Sequence, residues 1–411
     1  MAIDQATLAR RLKEARINCG ITQEAAAEGL GLPRTAVVQI ESGNRSVSTL
    51  ELTEFARLYR RPIASFLDET EEEDVLVALC RAAADLQGRP EIRHEIARYV
   101  AICREGTELE RLLGLSERSG PPAYDLPAPR NPMDAVEQGG HVAAEERRRL
   151  ALGYNPIPDV ADLIASQGIW ASGAKLPDEM SGLFLRHASI GMVILVNFDH
   201  ARARKRFSYA HEYAHALIDR SHNVTVTTER NRSELREVRA NAFAASFLLP
   251  LGGVWKFLES RQKAAPSRQE VAVYDPSLEK SELQVKAQRR LTPGSQKVTY
   301  EDVTVLAHHF GVSYQAAAFR LKSLGIVNQQ ELEALREKED VGRSYLKLLQ
   351  MFDDLEGKDK DAKPDRELVG QVVHFALEAY RREEISKGKL RDLSALLNLS
   401  AEKLLRLAEA A

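Results

Sequence analysis

The chain has 411 residues, of which 44% are hydrophobic and 28% charged, with a formal net charge of −3. That length allows two to four domains of ordinary size, and that composition excludes wholesale disorder. The near-neutral balance means that any contact with nucleic acid comes from a local patch. Cys19, Cys80 and Cys103 are isolated and odd in number, which argues against a disulfide frame or a cysteine-held metal cluster and for a reducing cytoplasm. No apolar run reaches the ~18 residues of a membrane span. The opening "MAIDQATLARRLKEAR" lacks a basic-then-apolar leader pattern, so a cytoplasmic location with no membrane partner is expected.

Residues 8–67 are dense with short helical patterns. Thr22 is a good N-cap for a helix beginning at Gln23. "GLGLP" makes a tight turn, and "PRTAVVQIE" is a third helix with Pro33 in its first turn. Helix, turn, helix is the pattern that sets a recognition helix into the major groove of double-stranded DNA. The outward residues are Arg34, Thr35 and Gln39; arginine suits guanine and glutamine suits adenine. Gln23, Asn44 and Arg45 are the candidate phosphate contacts that set the register. Residues 1–50 carry six basic and five acidic groups, so the segment is not strongly basic, and a protein-interaction module of the same outline stays open.

"DETEEED" (68–74) reads as a solvated boundary. Two amphipathic helices follow, "VLVALCRAAADL" and "EIRHEIARYVAICREGTELERLL". "SERSGPPAYDLPAPRNP" (116–132) reads as a linker, and a helix is expected around 134–152. The pattern then changes: "GIWASG", "GLFLRH" and "GMVILVNF" are short, strand-like and bounded by glycine. Two helices come next, 204–219 and 233–250, the second ended by Pro250. Residues 261–298 are polar and aperiodic, an exposed insertion. Helices return at 300–324, and a charged spacer (356–367) precedes a last helical region.

The chemistry sits in "RKRFSYAHEYAHALID", residues 204–219. Positions four apart on a helix lie about 40° apart on one face, so His211 and His215 can point at one ion with Glu212 beside them. This is the H-E-x-x-H arrangement, in which the glutamate takes a proton from a metal-bound water. Zinc brings the pKa of such a water toward ~7. A catalytic zinc needs a third protein ligand and an open fourth position. Glu237 on the next helix can supply the ligand, and Asn241, one turn on, can orient a ligand from behind. The plain alternative is a core helix that carries two histidines. His222, just past the motif helix, is in reach of a substrate but reads better as a solvated loop histidine; His308 and His309, adjacent on a later helix, cannot share one face and read as surface or core, and His187 and His200 have no assigned role.

Two families are recognisable at this point. Residues 8–67, above all "GITQEAAAEGLGLPRTAVVQIESGNR", resemble a Cro/CI-type (XRE) helix-turn-helix, and the resemblance implies a buried ion pair between Arg16 and Glu41. Residues from about 134 to 326 resemble the ImmA/IrrE metallopeptidases through "LGYNPIPDVADLIASQGI", "RFSYAHEYAHALI", "EVRANAFAASFLLP" and "LAHHFGVSYQAAAFRLKSLGI". That resemblance implies zinc ligands His211, His215 and Glu237, with Glu212 as general base. Tyr213 and Ala214 stand where many relatives have Leu-Gly.

The expected fold is mostly α: an all-α helix-turn-helix domain (1–70), a helical connector and linker (71–133), an α+β zincin-like domain (134–328) and a helical C-terminal region (329–411). The expected function is a DNA-binding regulator whose Zn2+-dependent endopeptidase cleaves a helix-turn-helix repressor, a partner or the chain itself, in a stress or phage response. The alternatives are a transcription factor whose peptidase-like domain only senses a metal or ligand, and a protease whose first domain recognises its protein substrate. A homodimer is expected, because single helix-turn-helix heads bind weakly and pair on twofold half-sites.

Overall fold

The computed structural model describes residues 4–19, 21–59, 63–67, 90–115, 118–187, 189–220, 224–228, 231, 233–263, 268–273, 285–290, 296–349 and 366–409. "DETEEED", "VLVALCRAAADL" with Cys80, His222 and most of the charged spacer lie outside them.

The first 67 residues fold as five helices: α1 (Gln5–Cys19), α2 (Gln23–Leu30), α3 (Arg34–Glu41), α4 (Thr49–Tyr59) and α5 (Ala64–Leu67). Thr22 caps α2 by accepting from the Ala25 amide. Gly31 closes α2 at φ +64°, a left-handed conformation that costs glycine no Cβ clash. Pro33 stands one residue outside α3, in extended backbone, where its missing N–H is not needed. Leu12, Ala15, Ile40, Phe55, Tyr59 and Phe66 form the core. Beside it Arg16 grips Glu41 through two bonds, Nε to Oε1 at 2.6 Å and Nη2 to Oε2 at 3.0 Å.

The second of the two connector helices is α6 (Pro90–Leu112). The proline-rich stretch after it forms neither helix nor strand over 118–130, but it is fastened down. The Tyr124 amide donates to the Leu217 carbonyl at 2.9 Å. Arg220 donates to the Pro121 carbonyl, and Arg118 stacks 3.4 Å over the Trp170 ring while bonding Glu110. Proline bars regular structure yet leaves its carbonyls free to accept.

Next come α7 (Pro132–Arg149), capped by Asn131, and α8 (Val160–Ala165). A four-stranded sheet follows in spatial order β1-β3-β2-β4: β1 (Ile169–Ala174), β2 (Met180–His187), β3 (Gly191–Asn197) and β4 (Val224–Thr228). β1 runs parallel to β3, while β2 is antiparallel to both β3 and β4. Between β3 and β4 the chain makes α9 (Arg202–Ile218), and after β4 it makes α10 (Leu235–Leu248). Pro250 does not simply end that helix; it is the N-cap of α11 (Leu251–Ser260). The segment expected as an aperiodic insertion contains an antiparallel pair, β5 (Arg268–Val273) with β6 (Val285–Arg290).

The remaining helices are α12 (Tyr300–Phe310), α13 (Tyr314–Ser323), α14 (Gln329–Arg336), α15 (Glu339–Leu348), α16 (Arg366–Arg381), α17 (Lys387–Leu396) and α18 (Ala401–Glu409). All of these but α15 divide between two cores. Met192, Ile194 and Val196 of β3 face a core with α9, α10 and α12–α14, whereas Val193 and Leu195 face a second core with α6 and α16–α18. A strand covered on both faces reads as the unbroken apolar run "MVILV" rather than as an alternation. The helix-turn-helix head rests on the second layer: α1 packs on α17, and the Ser386 hydroxyl donates to the Tyr59 carbonyl at 3.1 Å. Among the described residues no single helix is long and apolar enough to cross a membrane.

Candidate metal centre

α9 lies against β2 and β3, and its inner face carries His211, Glu212 and His215. Its opposite side carries Tyr213, whose ring packs 6.1 and 6.0 Å from those of Phe243 and Phe247 on α10, and whose hydroxyl donates to the buried Glu146. The residue that departs from Leu-Gly therefore wedges the ligand-bearing helices together. α10 also meets α7 backbone to backbone at Gly139, where a Cβ would stand 2.8 Å from the Phe243 nitrogen and would clash with the Arg239 carbonyl. That packing sets Glu237, in the first turn of α10, across from the two histidines.

His211 Nε2 is 3.0 Å from Glu237 Oε2, His215 Nε2 is 3.2 Å from His211 Nε2, and His215 Nε2 is 3.5 Å from Glu237 Oε1. The edges of a tetrahedron with zinc-to-nitrogen and zinc-to-oxygen arms of about 2.0–2.1 Å are about 3.3 Å, so these spacings match three of its corners. His215 Nδ1 bonds Asp219 Oδ2 at 2.8 Å, and His211 Nδ1 bonds Asn241 Oδ1 at 3.0 Å. Both partners are acceptors, so each imidazole keeps a proton on Nδ1 and presents Nε2 to the centre, where that nitrogen either carries a proton toward Glu237 or offers its lone pair to a cation. Two imidazole nitrogens and a carboxylate converge, an arrangement that protons on the nitrogens or a metal cation holds together. This is the only cluster of three metal-capable side chains among the described residues.

The electrostatics agree. Burial would push the Glu237 carboxyl up, but the bonds from His211 and His215 outweigh it and hold it well below the ordinary carboxylate range. Burial would pull His215 down, but Asp219 and Glu237 outweigh it and raise the imidazole to about 10. The site draws positive charge whether or not a metal supplies it. Glu212 differs. It is wholly buried, burial pushes its carboxyl up, and the two histidines pull it partly back. Neither of its oxygens has a hydrogen-bond partner. An orphaned carboxylate beside three convergent ligand atoms fits a group that meets a metal-bound water.

Two residues that sequence reasoning passed over complete the site. Asp219 stands four residues past His215, on the same helical face, and that spacing was a readable signal. It also accepts from Arg239 Nη2 at 2.6 Å, and Arg239 reaches Gln138 at 3.1 Å. Arg239 carried no signal, because its partner is distant in sequence.

In the head, Arg34, Thr35 and Gln39 are all exposed on α3, with Val38 between them. Gln23 and Arg45 are already engaged: Gln23 Nε2 donates to Glu41 Oε2 at 2.8 Å, and Arg45 donates to Glu51 at 2.6 Å. Asn44 is exposed and donates to the Ser42 hydroxyl at 3.1 Å. Of the other histidines, His187 bonds Ser189, His200 lies 3.2 Å from the Asp178 carbonyl, and His309 packs beside Phe257.

Comparison with known families agrees with both halves. Residues 12–66 match the helix-turn-helix family model. Residues 165–272 match a peptidase family model described as the IrrE N-terminal-like domain. The chain thus joins an XRE-type helix-turn-helix domain to an ImmA/IrrE-like peptidase domain. No curated protein matches the chain.

Proposed function

We propose that the chain is a DNA-binding regulator with a zinc-dependent endopeptidase, cleaving a repressor-type helix-turn-helix protein in a stress or phage response. Residues 1–70 would bind the operator and 134–328 would form the peptidase. Residues 71–133 and 329–411 would hold the two together in a cytoplasmic homodimer.

One observation carries the reading: His211, His215 and Glu237 converge with an orphaned Glu212 beside them. Zinc held there supplies a Lewis acid and an acidified water. His211 and His215 bind through Nε2, steered by Asn241 and Asp219. Glu212 accepts the proton of the attacking water and returns it to the departing amine nitrogen. Its burial raises its affinity for a proton, the direction such a shuttle needs. Arg34, Thr35 and Gln39 would read bases, and Asn44, Gln23 and Arg45 would set the backbone register, Gln23 and Arg45 only after loosening their present bonds.

A second reading has its own support. His215 and Glu212 are 0% exposed, Glu237 1% and His211 3%. A site this closed suits a domain that senses a metal or ligand without hydrolysis, or a protease opened by a signal. Metal analysis with a mass-spectrometric search for products, alone and with a neighbouring repressor, separates them. One equivalent of zinc and a product that Glu212→Gln abolishes establishes the protease. Zinc with no product under any condition favours the sensor, and no zinc defeats the zinc-dependent protease.

A further inference from the structure

The carboxylate of Glu212 occupies a space that two residues outside the motif helix define. Gly182 on β2 is directly beneath it: a Cβ there would come within 2.9 Å of Glu212 Oε1 and 3.0 Å of both its Cγ and the Leu195 carbonyl. Gly182 pairs across the β2–β4 ladder with Thr227. The Thr227 hydroxyl is buried and, like both Glu212 oxygens, has no hydrogen-bond partner within ordinary range. Three orphaned buried oxygens side by side, one of them the donor of a hydroxyl, are an unfinished contact rather than an accident of packing.

We infer that Thr227 is a positioning residue for the general base. Its hydroxyl donates to the Glu212 carboxylate and, with the space left by Gly182, aims the free oxygen at the open side of the metal centre. The inference rests on the metal-centre reading above. The residue types follow. Any side chain at 182 would fill the carboxylate's seat, and valine at 227 would match the shape of threonine without the donor. Thr225, two residues back on the same face of β4, is buried with an unpartnered hydroxyl too. Its strand partner is Phe184, not Gly182, so it offers a control with the same chemistry at a different place.

The test uses the full chain loaded with cobalt(II), whose visible absorption reports both metal binding and ligand exchange. The probe is acetohydroxamic acid, which chelates such a metal and gives its hydroxyl proton to the neighbouring carboxylate. Thr227→Val is expected to bind cobalt as the wild type does and acetohydroxamate about tenfold more weakly, the loss of one hydrogen bond to a charged acceptor. Thr227→Ser restores the hydroxyl and the affinity, and Thr225→Val leaves it unchanged. Circular dichroism and melting confirm that each variant folds. Equal hydroxamate affinity in Thr227→Val and wild type overturns the inference. So does a wild type that binds cobalt but no hydroxamate, since a correctly aimed base would accept the proton. A wild type that binds no cobalt instead overturns the metal-centre reading.

Discussion

Replacing Asp219 with asparagine tests whether the centre is organised from behind as the geometry requires. Asp219 takes the His215 Nδ1 proton at 2.8 Å and the Arg239 guanidinium at 2.6 Å, and all three side chains are buried. Asparagine keeps the shape and one acceptor but loses the charge, and its amide nitrogen must face either a histidine N–H or a guanidinium. Loss of such a partner behind a histidine ligand costs about 10–100-fold in metal affinity. That is roughly 1.4–2.8 kcal/mol at 1.4 kcal/mol per decade. A second loss accompanies it, because Arg239 is left buried without an anion and its Nε already has no partner. Removing one member of a buried pair costs about 3–5 kcal/mol; the isosteric change belongs at the lower end. Zinc affinity is read by competition with a chromophoric chelator, and stability by melting the metal-free protein. A variant that melts lower but holds zinc as tightly as wild type would refute the role given to Asp219 and leave it a packing residue.

Three further outcomes are expected. Zinc binding at pH 7–8 should release about one proton, read by calorimetry in buffers of different ionisation enthalpy, because metal displaces the proton that His215, raised to about 10, holds in the metal-free state. The sign carries over to stability: a folded value above the ordinary 6.5 contributes fully below that pH and is lost as pH rises through about 10, so the metal-free protein weakens toward alkaline pH and the zinc form does not. Gly139→Ala should lower stability by about 1–3 kcal/mol and weaken zinc binding with it, since the added methyl must part α7 from α10; an unchanged melting temperature would show that the helices are not in contact there. Arg34→Ala should cost about 1–3 kcal/mol of binding to a DNA sequence selected from a random pool, and unchanged affinity and preference would displace α3 from the groove.

What the sequence made legible was local. The spacing of His211 and His215, the cap at Thr22 and the glycine-bounded strands are all short-range signals, and each element stands where its pattern put it. β4 was readable too: "VTVTT" is five β-branched residues in a row, a strand signal lost behind the motif beside it. β5 and β6 had no such signal, being polar and lacking a clean alternation. The rest was out of reach because it depends on partners distant in sequence. Nothing in "RANAF" announces that Arg239 closes on Asp219, and nothing in "MSGLF" announces that Gly182 is small because Glu212 needs its space. The proline-rich stretch reads as a linker by composition, yet Arg220, far along the chain, pins the carbonyls of Pro121 and Pro122 to the sheet domain. The second layer of helices was hidden for the same reason, since the only trace of it in β3 is the lack of alternation.

The charges at the centre bear on which ion the cluster could hold. With His211 and His215 neutral and turned inward, the buried groups are the carboxylates of Glu212, Glu237 and Asp219 and the guanidinium of Arg239. Arg239 neutralises Asp219, which leaves the two buried carboxyls of Glu237, held ionised, and Glu212, pushed by burial toward its neutral form. Several kcal/mol attach to each buried uncompensated charge. The chain can meet that cost with protons, as the raised His215 shows, or with a divalent cation, which would satisfy the Glu237 carboxylate and both imidazole lone pairs at once. Protons alone occupy the inward nitrogens and leave Glu212 without a partner. The two histidines and Glu237 fit zinc in donor type and spacing, and Glu212, held off the ligand set by its place over Gly182, keeps its oxygens for a proton.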